Sequence, residues 1–155
     1  IDKYVTDVDD LNNVIKIAAS EKVELSPIKK KNLLIYPLGR IIKYHDFLML
    51  AMSHFDNQNQ AYINANEYES MLTNMWSEIR RVYAGKKIII PLIGSGITTM
   101  TGIKEKNNTM LLKCMLCTLK RSGFQPKNGI TIVLTDEAIN SIDMVKIKEE
   151  FKNGI

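Results

Sequence analysis

The segment KKIIIPLIGSGITTMTG, residues Lys86–Gly102, combines a β-branched run, a proline and two glycines around one serine. Ile88, Ile89 and Ile90 are too apolar for a solvated element, so this run predicts a central strand that is covered on both faces. Pro91 cannot donate to a β-ladder and is expected to end the strand. A strand followed by a turn and a helix is typical of an α/β fold, in which ligands gather at the carboxyl ends of strands.

The turn after this strand has the composition of an anion-binding loop. Gly94 and Gly96 can both adopt positive φ and leave the backbone N–H groups open to a phosphate. Hydroxyl groups surround the turn, on Ser95, Thr98, Thr99 and Thr101. The dinucleotide fingerprint G-x-G-x-x-G is not met, because Thr99 stands at its third glycine, and no Gly-Lys-Ser/Thr of a Walker loop follows. Two alternatives therefore stay open, a phosphate-binding turn and a turn with a structural role alone.

Length and composition are those of one folded domain. The chain has 155 residues, of which 45% are hydrophobic and 25% are charged, so it can bury a core of ordinary size. The excess of 21 Lys and Arg over 17 Asp and Glu gives a net charge of +4, which suits an anionic ligand. The basic residues form short clusters rather than one dense stripe, so we expect no nucleic-acid partner.

The sequence also gives an expectation for the cellular location of the domain. No apolar run approaches the roughly 20 residues that span a bilayer, and the start has no secretory leader, so we expect a cytoplasmic domain. The sequence begins at Ile1 rather than at a methionine, so we also expect it to be the C-terminal portion of a longer protein.

Cys114 and Cys117 form a C-x-x-C motif, a spacing that suggests a redox or a metal-binding role. Reactive dithiols lie at helix N-termini, where the helix dipole lowers the thiol pKa, whereas these two lie inside a helix predicted to begin near Asn107. A zinc site needs further ligands, and His45 and His54 have no paired spacing with the cysteines. We therefore predict buried or half-buried thiols in a reducing compartment, and no metal site.

Helices and strands alternate along the rest of the chain. Apolar spacing predicts helices over Asp7–Ser20, Asn66–Tyr83 and Asn108–Arg121, and a final helix that Ser141 caps and that runs to Phe151. Short β-type runs predict strands over Leu33–Tyr36, Arg40–Tyr44 and Ile130–Leu134, a longer strand over Phe47–Phe55, and a polar linker over Lys29–Asn32. Trp76 belongs to the apolar stripe of its helix, so we place it in the core rather than at a stacking site.

Three strand ends are expected to meet at one edge of the sheet. They are Ser53–Asp56, Leu92–Thr99 and Thr135–Asp136, which would line one crevice if their strands run parallel. In this arrangement the glycine turn holds a diphosphate, and Thr135 or Asp136 lies near a base or a sugar. The sequence pattern gives His54, Asp56 and Asp136 no partner for acid–base catalysis. For these three residues we therefore favour capping and turn hydrogen bonds over a catalytic role.

The segment Ile90–Ile97 resembles the ADP-ribose-binding loop of macro domains, in which a strand ending in proline leads into a Gly-Ser/Thr-Gly turn. The surrounding sequence is similar to divergent bacterial macro-like domains of anti-phage systems, of the type found in the macro effectors of Thoeris defence. The similar features are Tyr36-Pro37-Leu38-Gly39, the Ser-His-Phe-Asp ending at Asp56, and the helix that bears Met75-Trp76. The resemblance runs from about Tyr36 to Phe151.

This resemblance implies an α/β fold, a macro-domain-like mixed sheet flanked by helices, as a single domain over residues 1–155. The strands and the diphosphate-clamping loop that open other macro domains are not found before Tyr36. We therefore expect either that this chain lacks them, as the C-terminal portion of a longer protein, or that half of the pocket is built differently. The positions that match the family's loop would bind the phosphates and the distal ribose. These are Leu92, Ile93, Gly94, Ser95, Gly96, Ile97, Thr98 and Thr99, while Thr135 and Asp136 would lie towards the adenosine end.

The resemblance also implies a sensor of a signal derived from NAD. By analogy, the domain would bind an ADP-ribose-containing nucleotide, such as an amino-acid adduct of ADP-ribose, made by a TIR-domain partner. A homo-oligomer and a membrane-associated segment upstream of Ile1 are further expectations, and no cofactor is expected. The lack of a nucleophile or of paired carboxylates favours binding over catalysis. A hydrolase of ADP-ribosyl conjugates is the alternative, and an interaction domain without a ligand is the third reading.

Overall fold

The computed structural model describes residues 7–152 and 154 and combines helices with short strands. The helices are α1 (Val8–Ser20), α2 (Ala65–Val82), α3 (Asn108–Ser122), α4 (Asp136–Ser141) and α5 (Met144–Glu150). The strands are β1 (Ile28–Lys30), β2 (Leu33–Ile35), β3 (Ile41–Tyr44), β4 (Phe47–Leu50), β5 (His54–Phe55), β6 (Ala61–Asn64), β7 (Ile88–Pro91), β8 (Thr99–Thr101) and β9 (Ile130–Val133).

The strands pair in both directions. β1 with β2, β3 with β4, and β5 with β6 are antiparallel, whereas β6 with β8 and β7 with β9 are parallel. The predicted mixed α/β class is confirmed. Within the described residues, the strands are distributed over four short sheets rather than one continuous sheet.

Strand β7 carries the glycine turn at its end, and two expectations about it are wrong. Within the described residues it pairs with β9 alone, and Ile89 is 67% exposed while Ile88 and Ile90 are buried. The strand is therefore an edge strand with one buried face, not a central strand covered on both faces. Pro91 does not stop the ladder but is its last member, opposite Val133, a position at which an edge strand tolerates proline.

The predicted strand over Phe47–Phe55 is wrong as one element. β4 pairs with β3, and the pairing continues through the Ala51 N–H, which donates to the Arg40 carbonyl at 2.9 Å. The chain then leaves this ladder, and β5 joins the separate sheet of β6 and β8. An apolar run read by itself does not show that its two ends have different partners.

The observed bounds of the helices and strands test the remaining predicted elements. The helix over Asp7–Ser20 is confirmed with Asp7 as its N-cap, and the helices around Trp76 and Cys114 are confirmed to within two residues. The linker assigned to Lys29–Asn32 is wrong in part, because β1 includes Lys30. Ser141 is not an N-cap, since it ends the unpredicted helix α4, and Asp143 caps α5 instead.

The core lies between α2 and α3 and beneath the strands. Met71, Met75 and Trp76 of α2 are fully buried against Leu111 and Met115 of α3. Trp76 donates its indole N–H to Thr118 Oγ1 at 3.0 Å, so its one polar atom is satisfied inside the core. The prediction that the apolar stripe of α2 serves packing is confirmed.

A buried ion-pair network ties α1, β3 and α2 together. Arg40 is 1% exposed and donates to Glu78 Oε2 at 2.6 Å and to Glu21 Oε2 at 2.8 Å. Arg81 and the N–H of Ile41 also donate to the Glu78 carboxylate. Burial raises the pKa of Glu78, but hydrogen bonds from Arg81, Ile41 and Arg40 outweigh burial and hold the pKa below its usual value.

A Glu78→Gln variant should lose about 1–2 kcal/mol of unfolding free energy at neutral pH, because buried Arg40 loses the charge of its partner. The wild-type carboxylate contributes this stability above its unfolded pKa of about 4.3 and loses it as the pH falls through the lower folded pKa. The difference between the two proteins should therefore shrink in acid. Urea unfolding at neutral pH and at about pH 3 measures it, and an equal difference at both would contradict the ion-pair role.

Candidate functional site

The glycine turn is a buried base with an exposed tip. Leu92, Ile93 and Gly94 are buried directly after β7, the tip Ser95–Ile97 is exposed, and Thr98 is buried before β8 begins at Thr99. Gly94 has a φ of 85°, in the left-handed region that favours glycine, whereas Gly96 lies outside that region. Of the two predicted positive-φ positions, Gly94 alone is confirmed.

Tyr68 of α2 anchors the base of the turn. Its hydroxyl donates to the Ile93 carbonyl at 2.8 Å, and burial raises its pKa, so it remains a protonated donor. A Cβ placed on Gly94 would lie 3.3 Å from Tyr68 Cε2. Gly94 is therefore required both by the backbone conformation and by this close approach.

Lys106 holds the turn from one side. Its Nζ donates to the carbonyls of Gly94 at 3.0 Å, Gly96 at 2.8 Å and Thr98 at 2.9 Å. An ammonium group has three donors, so these three carbonyls use them all. Sequence reasoning missed Lys106, since it lies in an irregular segment and no motif links it to the turn.

The three contacts to Lys106 fix the direction of the turn's N–H groups. In a trans peptide, the N–H of a residue points opposite to the preceding carbonyl, so the N–H groups of Ser95, Ile97 and Thr99 point away from Lys106. The Ser95 N–H donates to the Leu92 carbonyl at 3.3 Å. The Ile97 N–H has no acceptor in the described part of the chain, and this residue is 96% exposed. The turn therefore presents an open donor on the side opposite to a fixed positive charge.

A cavity of about 1180 Å³ borders the turn. Ile93, Ile97 and Thr98 form one end of it, and its walls are mostly apolar side chains of β3, β4 and β7. Lys106 is not among the lining residues of this cavity. An apolar cleft with a few convergent polar groups is typical of a small-molecule site.

The predicted adenosine end lies beside the turn but outside this cavity. β7 and β9 run parallel with Pro91 opposite Val133, so Thr135 and Asp136 follow β9 at the same edge as Leu92. Thr135 Oγ1 accepts the N–H of Ala138 at 3.1 Å and caps α4, and Asp136 lies in the first turn of that helix. Contact of these two residues with a base or a sugar stays a prediction.

The third predicted strand end, Ser53–Asp56, does not belong to a parallel pair. β5 is antiparallel to β6, so the expectation of three parallel strand ends is wrong for this segment. Ser53 and His54 nevertheless line the cavity. Asp56 accepts the N–H groups of Gln58 at 2.8 Å and Gln60 at 2.9 Å, which confirms the turn role expected for it.

His54 has an acidic partner that sequence reasoning did not find. Its Nε2 lies 3.2 Å from Oε1 of Glu67, in the first turn of α2, and Glu67 Oε2 accepts the Asn64 N–H at 3.0 Å. The Asn64 N–H and then His54 hold the pKa of Glu67 below its usual value. The pattern Asn64-x-x-Glu67 is a capping box and could have placed Glu67, but it does not indicate that His54 is near.

The two cysteines lie inside α3 and are half-buried, as predicted. Burial raises the pKa of Cys114, which keeps it in the unreactive thiol form. Across residues 7–152 and 154, no group of three or more His, Cys, Asp or Glu side chains could hold a metal ion. Over the same residues, no helix is long and apolar enough to cross a membrane.

A Cys114→Ser/Cys117→Ser variant is expected to lose about 1–2 kcal/mol of unfolding free energy, because hydroxyl groups replace half-buried thiols. Its affinity for a nucleotide should not change, since neither thiol lines the cavity. Thermal melting and calorimetric titration on the same samples measure both quantities. A large loss of affinity in a variant that still folds would show that the thiols do more than pack.

The sequence of this chain is similar to known proteins of one family. Residues 1–135 match the protein-family model described as "Thoeris protein ThsA, Macro domain". The chain is 33% identical over 156 aligned positions to the Thoeris protein ThsA of Bacillus amyloliquefaciens strain Y2. The alignment covers 96% of this chain and 52% of that protein, so the chain spans about half the length of the curated relative that it matches.

Proposed function

Because the chain belongs to the macro-domain family of the Thoeris protein ThsA, we propose that it binds an ADP-ribose-containing nucleotide signal derived from NAD, such as an amino-acid adduct of ADP-ribose. The chain is a macro domain related to Thoeris defence. In the proposal it is the sensor domain of an anti-phage effector, and a TIR-domain partner makes the signal. Occupancy of the site then changes the assembly of the effector.

The observation that carries this proposal is the contact of Lys106 with three carbonyls of the turn. Three carbonyls accept hydrogen bonds from the Lys106 ammonium, so the opposite side of the turn carries outward N–H groups and no carbonyl from these peptides. N–H groups backed by a fixed cation favour an anion. A diphosphate placed at Gly96 and Ile97 would contact these N–H groups. A Cβ placed on Gly96 would have no atom within 4 Å, so the space beside this backbone is open.

The surroundings of the turn suit the two ends of such a nucleotide. On one side is the cavity of about 1180 Å³, which has room for a sugar and its substituent. On the other side, Thr135 and Asp136 follow β9, beside the end of β7. We therefore assign the diphosphate to the turn, the distal ribose to the cavity and the adenosine to the edge at Thr135 and Asp136.

Calorimetric titration of the protein with ADP-ribose, NAD and a histidine adduct of ADP-ribose tests the proposal. The ligand recovered after each titration is analysed for breakdown, and light scattering with and without ligand tests for a change in oligomeric state. Binding without breakdown is the expected result. An absence of binding by all three nucleotides would contradict the proposed function.

A hydrolase of ADP-ribosyl conjugates is the second candidate function. One observation favours it, namely that His54 and Glu67 form a pair at the cavity, of the kind that can move a proton. Breakdown of a conjugate that stops in a His54→Ala variant would support the hydrolase.

A further inference from the structure

A row of side chains runs from the glycine turn across the sheet of β5, β6 and β8. The register places His54 opposite Tyr62, and Tyr62 opposite Thr99, the residue that follows the turn. Residues opposite each other in neighbouring strands have side chains on the same face, and neighbouring strands lie about 4.8 Å apart. Tyr62 and His54 are therefore one and two strands away from the turn, respectively, on the face that Thr99 shares.

Glu67 fixes the orientation of the His54 ring. One of its carboxylate oxygens is held by the N-cap of α2 and the other faces His54 Nε2 at 3.2 Å. A carboxylate accepts hydrogen bonds, so Nε2 carries the proton of this contact. Nδ1 is then the ring nitrogen left for another molecule.

Tyr62 offers an aromatic surface beside the His54 ring. Its ring centroid lies 5.4 Å from that of His54 with the planes tilted by 41°, and the residue is 38% exposed. Both rings line the cavity whose end is formed by Ile97 and Thr98 of the turn. An exposed ring and an oriented imidazole nitrogen thus share the space that begins at the turn.

We propose that His54 and Tyr62 form a recognition subsite for a planar ring with a polar edge, carried on the ribose beyond the diphosphate. The ring stacks on Tyr62, and its polar edge exchanges a hydrogen bond with His54 Nδ1. Glu67 acts as a positioning residue through His54. The inference rests on the proposed function, because the turn must first hold the diphosphate that places the ring here.

Titration calorimetry with NAD, which carries a nicotinamide ring on its distal ribose, and with ADP-ribose, which carries none, tests the subsite. The wild type should bind NAD about ten-fold more tightly than ADP-ribose, and His54→Ala or Tyr62→Leu should abolish this preference while ADP-ribose affinity changes little. Tyr62→Phe should keep the preference because it keeps the ring. Glu67→Gln should reduce it in part, since glutamine still completes the capping box but no longer presents a charge to His54.

His45→Ala is the matched control, because His45 also faces a carboxylate, Asp10 at 3.4 Å, and contacts a tyrosine ring, yet it does not line the cavity. This variant should keep the preference for NAD. A wild type that binds both nucleotides equally, or a preference that survives in His54→Ala and Tyr62→Leu, would overturn the subsite while leaving the proposed function intact. Failure of the wild type to bind these two nucleotides and the histidine adduct of ADP-ribose would overturn both.

Discussion

A Gly96→Val protein should bind ADP-ribose at least about 100-fold more weakly than the wild type, a loss of about 2.7 kcal/mol, and should melt at the same temperature. The backbone of Gly96 lies outside the left-handed region, and a Cβ placed there would have no atom within 4 Å. The branched side chain therefore fits the folded protein. It fills the open space beside the Ile97 N–H, where the proposed diphosphate lies.

Gly96→Ala gives a graded control, since one methyl group should weaken binding less than the two further methyl groups of valine. Gly94→Val is a contrasting variant, because Gly94 has a φ of 85° and lies against Tyr68, so the substitution should lower the melting temperature. Calorimetric titration and circular dichroism melting measure the two effects separately. Wild-type affinity in a folded Gly96→Val protein would remove the turn from the binding site.

A Lys106→Met protein should bind ADP-ribose about 30-fold more weakly and lose about 1–3 kcal/mol of unfolding free energy. Methionine keeps most of the length of the side chain but donates no hydrogen bond to the three carbonyls that Lys106 holds. The peptides of the turn are then free to rotate, and their N–H groups no longer face the ligand together. The loss of a charge behind the turn adds to the effect.

Lys104→Met is the matched control for charge, because Lys104 is an exposed lysine two residues away in the same segment. It should bind like the wild type at moderate salt, where distant surface charges are screened. Lys106→Arg separates charge from geometry, since a planar guanidinium does not reproduce three converging donors. Equal affinities for the Lys104→Met and Lys106→Met proteins would contradict the positioning role of Lys106.

The helices were predictable because their signals are local. The cap at Asn64 directly precedes α2, the apolar stripe through Met71 and Trp76 lies inside α2, and Gly123 directly follows α3. Sequence reasoning therefore placed α2 and α3 within two residues. The short helix α4 was missed because its six residues are too few to show a helical period.

The strands were less predictable because their partners are distant in sequence. Ile88–Ile90 reads as a buried run, yet one face of β7 borders the cavity and leaves Ile89 exposed. The run Phe47–Phe55 changes its pairing partner after Ala51, and the spacing of its apolar residues does not show this change. Local composition predicts where strands occur better than it predicts which strands pair, because pairing depends on tertiary contacts.

The candidate site was predictable only where a motif exists. Gly94, Ser95 and Gly96 form a recognisable turn, and the structure shows their turn at the end of β7. Lys106 and the pairing of His54 with Glu67 became visible only in three dimensions, because their partners lie 8 to 13 residues away without regular spacing. The contacts of Lys106 depend on how the chain returns after the turn, whereas the pairing of His54 with Glu67 depends on the pairing of β5 with β6, which leads into α2.

The central claim is that the N–H groups of the glycine turn contact the diphosphate of a nucleotide. Titration of ADP-ribose into ¹⁵N-labelled protein, followed by amide NMR, tests this contact most directly. The signals of Ser95, Ile97 and Thr99, whose N–H groups point away from Lys106, should show the largest shifts, and the same residues should respond to ADP, which ends at the diphosphate. Binding that leaves these three signals in place while it shifts others would contradict the claim.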